Sequence, residues 1–131
     1  MGSRLLERWL RQPLINYSDI NRRLDIVEVL KNSPVLRNKL IDGPLKGIPD
    51  LDFIIERMQR KNAGLNEVYR LYLFCKSIPS FISIVSELAE ASLKEEISFI
   101  LRESYLDPLE KLSDKFSKYI QLIEHVIDFN Q

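Results

Sequence analysis

LNEVYRLYLFCKSIPSFISIV, Leu65 to Val85, is the most apolar stretch of the chain and decides its fold. Leu65, Val68, Tyr69, Leu71, Tyr72, Leu73, Phe74 and Cys75 leave almost no polar stripe. A helix that is apolar nearly all round is normally buried on several sides. A strand reading fails, because the residues do not alternate and the run is too long. Pro79 cannot donate a backbone hydrogen bond, which predicts a break or kink near Ser77. The expectation is a central helix of about three turns, a bend, and a second short helix, with the rest of the chain wrapped round them.

Working outward, every other segment also reads as helix. Leu5, Leu6, Trp9 and Leu10 give residues 3–12 an apolar stripe, and Trp9 reads as a buried anchor facing the same way as Pro13. Gln12-Pro13 ends that helix. Ser18 or Asp19 is the expected cap of a second helix running to Asn32, with Ile20, Leu24, Val27, Ile26 and Leu30 inward. Ser33-Pro34 opens a third helix, which stops at Gly43-Pro44. PLKGIP, Pro44 to Pro49, is the main irregular segment. Pro49-Asp50 opens a helix with Leu51, Ile54, Ile55 and Met58 inward, and Gly64 is its expected C-cap. Beyond Pro79, Phe81, Ile82 and Val85 carry the inward face to about Leu88. A short helix is expected from Leu93 to Leu101, and a last one capped by Asp107-Pro108. In it Leu109, Leu112, Phe116, Tyr119, Ile123 and Val126 form a heptad seam. The fold class is therefore all-α: an irregular array of seven or eight helices with a long C-terminal one.

Composition narrows the function. A length of 131 residues is one domain's worth of chain. Nineteen basic and nineteen acidic residues cancel, which is not the electrostatic footprint of an autonomous nucleic-acid binder. The longest unbroken apolar run, Leu71 to Cys75, is far short of a membrane span, so no membrane partner is expected. No GxxxxGK[ST] or GxGxxG occurs. His125 has no neighbouring metal ligands or catalytic partners and reads as a surface or rim residue. Cys75 reads as a core cysteine, because a reactive thiolate needs electropositive, partly exposed surroundings. No catalytic, cofactor or metal residue is nominated. Arg57, Arg60 and Lys61 share a helix face at i, i+3, i+4 spacing and are the one candidate contact for phosphates or an acidic partner, with Arg70 and Lys76 downstream. The competing reading is a solvated basic face balanced by Asp50, Asp52 and Glu56.

Five stretches together resemble one family. MGSRLLERWLRQPL (residues 1–14) looks like the start of the core, or lever, domain of MutS-type DNA mismatch-repair proteins. INRRLDIVEVL (20–30) and GIPDLDFIIERM (47–58) follow in the family's order. QRKNAGLNEVYRLY (59–72) and DKFSKYIQLIEHVIDFNQ (114–131) are most similar to its eukaryotic MutS homologue 2 branch. Gly2, Arg4, Trp9, Pro13, Arg23 and Asp25 match the family pattern and read as architectural. The resemblance covers nearly the whole chain, from Ile84 to Leu106 only vaguely.

The resemblance implies the N-terminal part of a lever domain, cut from a larger nuclear protein that forms a heterodimer with a second MutS homologue. That parent binds mismatched duplex DNA and MutL-type proteins, and uses ATP and Mg bound outside this segment. No base-reading or catalytic residue carries over to these positions. For the segment itself the expectations are no ATPase activity, weak or no DNA binding, and self-association through an uncovered seam at residues 109–127. The alternative is a stand-alone helical adaptor that binds a partner helix. A reading frame that continues into a Walker A motif separates the two. Phe129-Asn130-Gln131 supplies no helix cap, which favours the longer chain.

Overall fold

The structure is a computed structural model and describes residues 2–92 and 94–126. The helices are α1 Ser3–Arg11, α2 Tyr17–Asn32, α3 Pro34–Asp42, α4 Leu51–Gln59, α5 Leu65–Ala91, α6 Glu95–Leu101 and α7 Asp107–Val126. Among the described residues there is no strand. Leu93, the expected start of the short helix to Leu101, and residues 127–131 lie outside the described residues.

The central stretch is one helix, not two. α5 runs 27 residues through Pro79, about 40 Å at 1.5 Å per residue. The proline removes the hydrogen bond to the Cys75 carbonyl, and the Ser77 hydroxyl donates to the Phe74 carbonyl at 2.7 Å nearby. Pro79 itself lies on the exposed side. A proline inside a helix costs about 3 kcal/mol. Eight buried residues on both sides of it, among them Cys75, Ile78, Ile84 and Leu88, outweigh that cost. Tertiary packing overrides the local break signal here.

α5 threads two clusters. Toward its start, Leu71 and Cys75 pack with Ile54 of α4 and with Phe116, Tyr119 and Ile120 of α7. Toward its end, Val85, Leu88 and Ala89 pack with Ile97, Leu101 and Leu106, covered by Ile26, Val29 and Leu30 of α2 and by Leu36 and Leu40 of α3. By length and composition α5 could span a membrane; in this fold it is the shared core of both clusters.

The last third also differs from expectation. Asp107 has helical backbone angles and is no cap. Residues Arg102–Leu106 form a π-helical turn in which the Asp107 N–H donates to the Arg102 carbonyl. That widened turn joins α6 to α7 as one rod. It also places the donor-less Pro108 just after a register shift, where the ordinary ladder is already interrupted.

Seven inward assignments and two further caps are corrected. On α2, Ile20, Leu24 and Val27 are exposed, at 36%, 59% and 60%. The face turned to the core carries Ile26, Val29 and Leu30. Both faces are apolar, and periodicity cannot choose between them. On α4 only Ile54 is buried and Leu51 half-buried, while Ile55 and Met58 are exposed. Trp9 is 41% exposed and no residue of α1 is buried, so it is not an interior anchor; its ring lies under the Arg23 guanidinium at 3.7 Å. Val126, at the end of the heptad seam, is 70% exposed.

The cap of α2 is Asn16, whose side-chain oxygen accepts from the Ser18 N–H at 2.9 Å. α4 closes earlier than Gly64. The Asn62 N–H donates to the Arg57 carbonyl at 2.9 Å and the Lys61 N–H to Met58 at 3.0 Å. With Lys61 at φ 54°, this is a Schellman ending in which a lysine holds the left-handed position usually given to glycine. Gly64 starts α5 instead, donating its N–H to the Glu67 carboxylate at 2.9 Å.

Cys75 is 1% exposed, as its sequence context implies. Burial pushes its thiol up to about 11 from an ordinary 9.0. The unfolded thiol therefore ionises first, and stability contributed by the neutral buried thiol is present below pH 9 and lost as pH rises toward 11. Two pH units correspond to about 2–3 kcal/mol. Urea midpoints measured from pH 8 to 11 should fall more steeply in the native chain than in Cys75→Ala; parallel slopes would remove this account.

Candidate functional site

Two groups of polar side chains interrupt the helical surfaces: the basic end of α4 and a bridge between α5 and α7. At the first, the three nominated residues separate. Arg57 is turned inward along the chain. Its Nε and Nη2 donate to the Asn62 carbonyl at 3.0 and 2.8 Å, and its Nη1 meets Glu67 Oε1 at 2.8 Å. The Glu67 side chain is itself 17% exposed. Its carboxyl is held below the usual range by its own backbone N–H and that of Gly64, then by the charges of Arg57 and Arg70. Arg57 thus locks the end of α4, the loop and the start of α5 together.

Arg60 pairs with Glu56 at 2.6 Å on an open surface. Lys61 is exposed on the left-handed residue of the helix ending. Of the three, Arg60 and Lys61 present charge outward, and Arg57 supports the backbone beneath them. Of the acids expected to balance this face, Glu56 does so, whereas Asp50 caps α4 and pairs with Arg4 of α1 at 2.7 Å.

In the second group the sequence reading names Lys76 as a downstream cation and Tyr72 as apolar, and it misses the bridge they form with Glu124. The Tyr72 hydroxyl donates to Glu124 Oε1 at 2.8 Å across α5 and α7. Lys76 Nζ donates to the Tyr72 oxygen at 2.9 Å and to Glu124 at 3.3 Å. Tyr72 is 4% exposed, so its hydroxyl needs a partner. The hydrogen bonds from Tyr72 and then Lys76 hold the Glu124 carboxyl below its ordinary value, and those to Tyr72 and Glu124 raise the Lys76 ammonium. One turn before Glu124's turn, the Tyr119 hydroxyl donates to the Val68 carbonyl at 3.1 Å. Its phenol is raised by burial and by Cys75 nearby. The seam faces α5: Leu109, Leu112, Phe116 and Tyr119 are half-buried and Ile123 is buried. The heptad showed the seam, but which residue on α5 would answer Glu124 has no signal at a sequence separation of 52.

Three ion pairs fasten the far end: Arg22 with Glu103, Lys39 with Glu87 at 3.0 Å, and Glu28 with Lys94 at 3.7 Å. Each is open to solvent and contributes under about 1 kcal/mol. An apolar groove of about 420 Å³ opens between α2, α3, α5 and the wide turn, lined among others by Ile26, Leu40, Val85 and Tyr105. His125 is exposed. Among the described residues no three acidic, cysteine or histidine side chains gather as a metal site would require. What this arrangement offers is mechanical: a long helix held to its neighbours at both ends, with charge at one corner.

The family model for MutS domain III matches residues 1–131. The chain is 36% identical over 133 residues to the DNA mismatch repair protein MSH2 of Zea mays, covering 100% of this chain and 14% of the relative. It is 33% identical over 130 residues to msh-2 of Neurospora crassa, covering 99% and 13%. A bacterial MutS, from Geobacillus thermodenitrificans, is 36% identical over 121 residues, covering 92% and 12%. The chain thus spans about a seventh of the length of these relatives. An all-helical array lacking a nucleotide-binding loop, matched end to end by that model, belongs to the MutS family of DNA mismatch-repair proteins as its domain III, not its ATPase domain.

Proposed function

We propose that this chain is the lever segment of a MutS-type mismatch-repair protein. It does no chemistry of its own and transmits state between the parent's ATPase domain and its DNA clamp. The observation that carries the reading is the α5–α7 couple, in a chain matched along its whole length by the domain III model. Two packed helices pinned by side-chain hydrogen bonds between the start of α5 and the end of α7 move as one body there, which is what rigid-body transmission needs. The parent then hydrolyses ATP elsewhere, binds mismatched duplex DNA with a second MutS homologue, meets MutL-type proteins and works in the nucleus. Any DNA contact of this segment falls to Arg60 and Lys61 at the end of α4. It is weak because 19 positive charges meet 19 negative ones.

Tyr72→Phe with Lys76→Gln tests the transmission. The pair removes the bridge to Glu124 while keeping the shapes. It should cost the α5–α7 contact about 1–2 kcal/mol in a denaturant melt. In the full protein, ATP binding should stay unchanged while ATP-triggered release from a mismatched duplex slows about tenfold, the equivalent of 1.4 kcal/mol of lost coupling. Release at the native rate, with the melt shifted as expected, would refute the lever reading.

A further inference from the structure

Lys61 is the strained residue of the chain. Among the described residues it is the one non-glycine position with a left-handed backbone, at φ 54°. A glycine there would hold the same helix ending without the crowding of a Cβ. Strain kept where a glycine would serve points to a use for the side chain. The lysine is exposed, and among the described residues no carboxylate pairs with it.

The charge round it is also unbalanced. Arg57 and Arg70 share one carboxylate, Glu67, which Arg57 meets at 2.8 Å and Arg70 influences from further off. Arg60 is matched by Glu56. Arg70 is exposed and, like Lys61, makes no ion pair among the described residues. Four cations and two carboxylates leave this corner with two positive charges, in a chain whose total is zero. An apolar side chain adjoins them. Phe53 is 51% exposed, and its ring carries the Arg57 guanidinium at 5.6 Å. Phe53, Arg57, Arg60 and Lys61 follow at helical spacing on one face. Phe53 and Lys61 lie about 12 Å apart along the axis.

We infer that the end of α4 is a docking site for an acidic segment of a partner protein. Carboxylates of that segment meet Lys61 and Arg70, and an apolar side chain of it covers Phe53. An extended chain spans that distance in about four residues at 3.3 Å each, which sets the spacing of anchor and carboxylates. Two observations favour a peptide over DNA phosphates. Asp52 and Glu56 are exposed on the same helix and meet phosphates with like charge, which cuts the gain from counterion release. An aromatic ring beside an arginine is the composition of protein interfaces, whereas a phosphate backbone leaves Phe53 uncovered. The inference rests on the reading of α4's end as this segment's charged corner. It needs no transmission of state, so the release test of the lever bears on that other reading alone.

Fluorescence anisotropy on the full protein tests it with a labelled hexapeptide that starts on a tryptophan and ends on three aspartates. Its twin carries asparagines in place of the aspartates. The aspartate peptide should bind at least about tenfold tighter than the twin at low salt, and lose most of that advantage near 1 M salt. Lys61→Gly should weaken it about threefold, and Lys61→Gly with Arg70→Gln about tenfold. The same Lys61→Gly should raise the urea midpoint, because it relieves the left-handed strain. Opposite signs in binding and stability separate a contact from a merely structural role. Equal binding of the two peptides overturns the inference, as does native affinity in the double variant. A matched duplex that displaces the peptide, with a salt slope lowered by about 1 in Lys61→Gly, also overturns it and gives the corner to phosphates.

Discussion

Phe116→Glu combined with Ile123→Glu is expected to destroy the cooperative unfolding transition. From the heptad alone these positions would be the way to dissolve a self-associated seam while leaving helicity intact. The structure assigns the opposite outcome. Phe116 packs on the cluster of Ile54, Leu71 and Cys75, and Ile123 is 8% exposed. A carboxylate placed there loses its hydration against apolar side chains, a cost of several kcal/mol for each position. The loss should exceed about 4 kcal/mol, a large share of a domain's total stability. Circular dichroism at 222 nm during a urea titration reads it. Val126→Glu is the control: that side chain is 70% exposed and should shift the midpoint by under about 0.5 kcal/mol. A double variant within about 1 kcal/mol of the native chain would place the seam outside the α5 contact. It would reinstate residues 109–126 as a surface for another copy.

Leu88→Ala should destabilise the chain by about 3 kcal/mol. Leu88 is 2% exposed and central to the second cluster, between Val85 and Ala89 on its own helix and Leu101 and Leu106 beyond. Truncation removes most of a buried side chain and leaves a void beside an existing groove, into which the neighbours relax only partly. A urea midpoint that falls with unchanged slope is the expected signature. Leu24→Ala, the same chemical change on the exposed side of α2, should cost under about 1 kcal/mol in residues 1–131. Equal costs at the two leucines would mean that α2 turns its other face to the core.

The comparison of those two leucines shows where sequence reading ended. Helix existence was legible nearly everywhere, because a local apolar period and a local stop signal decide it. α1 and α3 lie within a residue of their expected bounds, and α2 begins two to three residues earlier than expected, at Tyr17. The burial of Cys75 and the surface place of His125 were legible too, since each follows from near neighbours in the chain. The family was legible from five short stretches in order.

The rest required the tertiary structure. Pro79 is a sound local stop signal and Asp107-Pro108 a sound local start signal, and both are overridden. At Pro79, burial on both sides is worth more than the missing hydrogen bond. At Pro108, a π turn absorbs the register change. α2 has two apolar faces, and only the position of α6 and α5 selects Ile26, Val29 and Leu30 over Leu24 and Val27. Arg57 looked like an exposed cation at a favourable spacing; the Schellman turn at Lys61 folds the Asn62 carbonyl and Glu67 back onto it. The Tyr72–Lys76–Glu124 bridge joins residues about fifty positions apart. By itself the sequence determined that this chain is an all-helical MutS-type segment built on Leu65–Val85. Only the packing decided which face of each helix is spent inside and which remains exposed, because facing is a property of pairs of helices and periodicity a property of one.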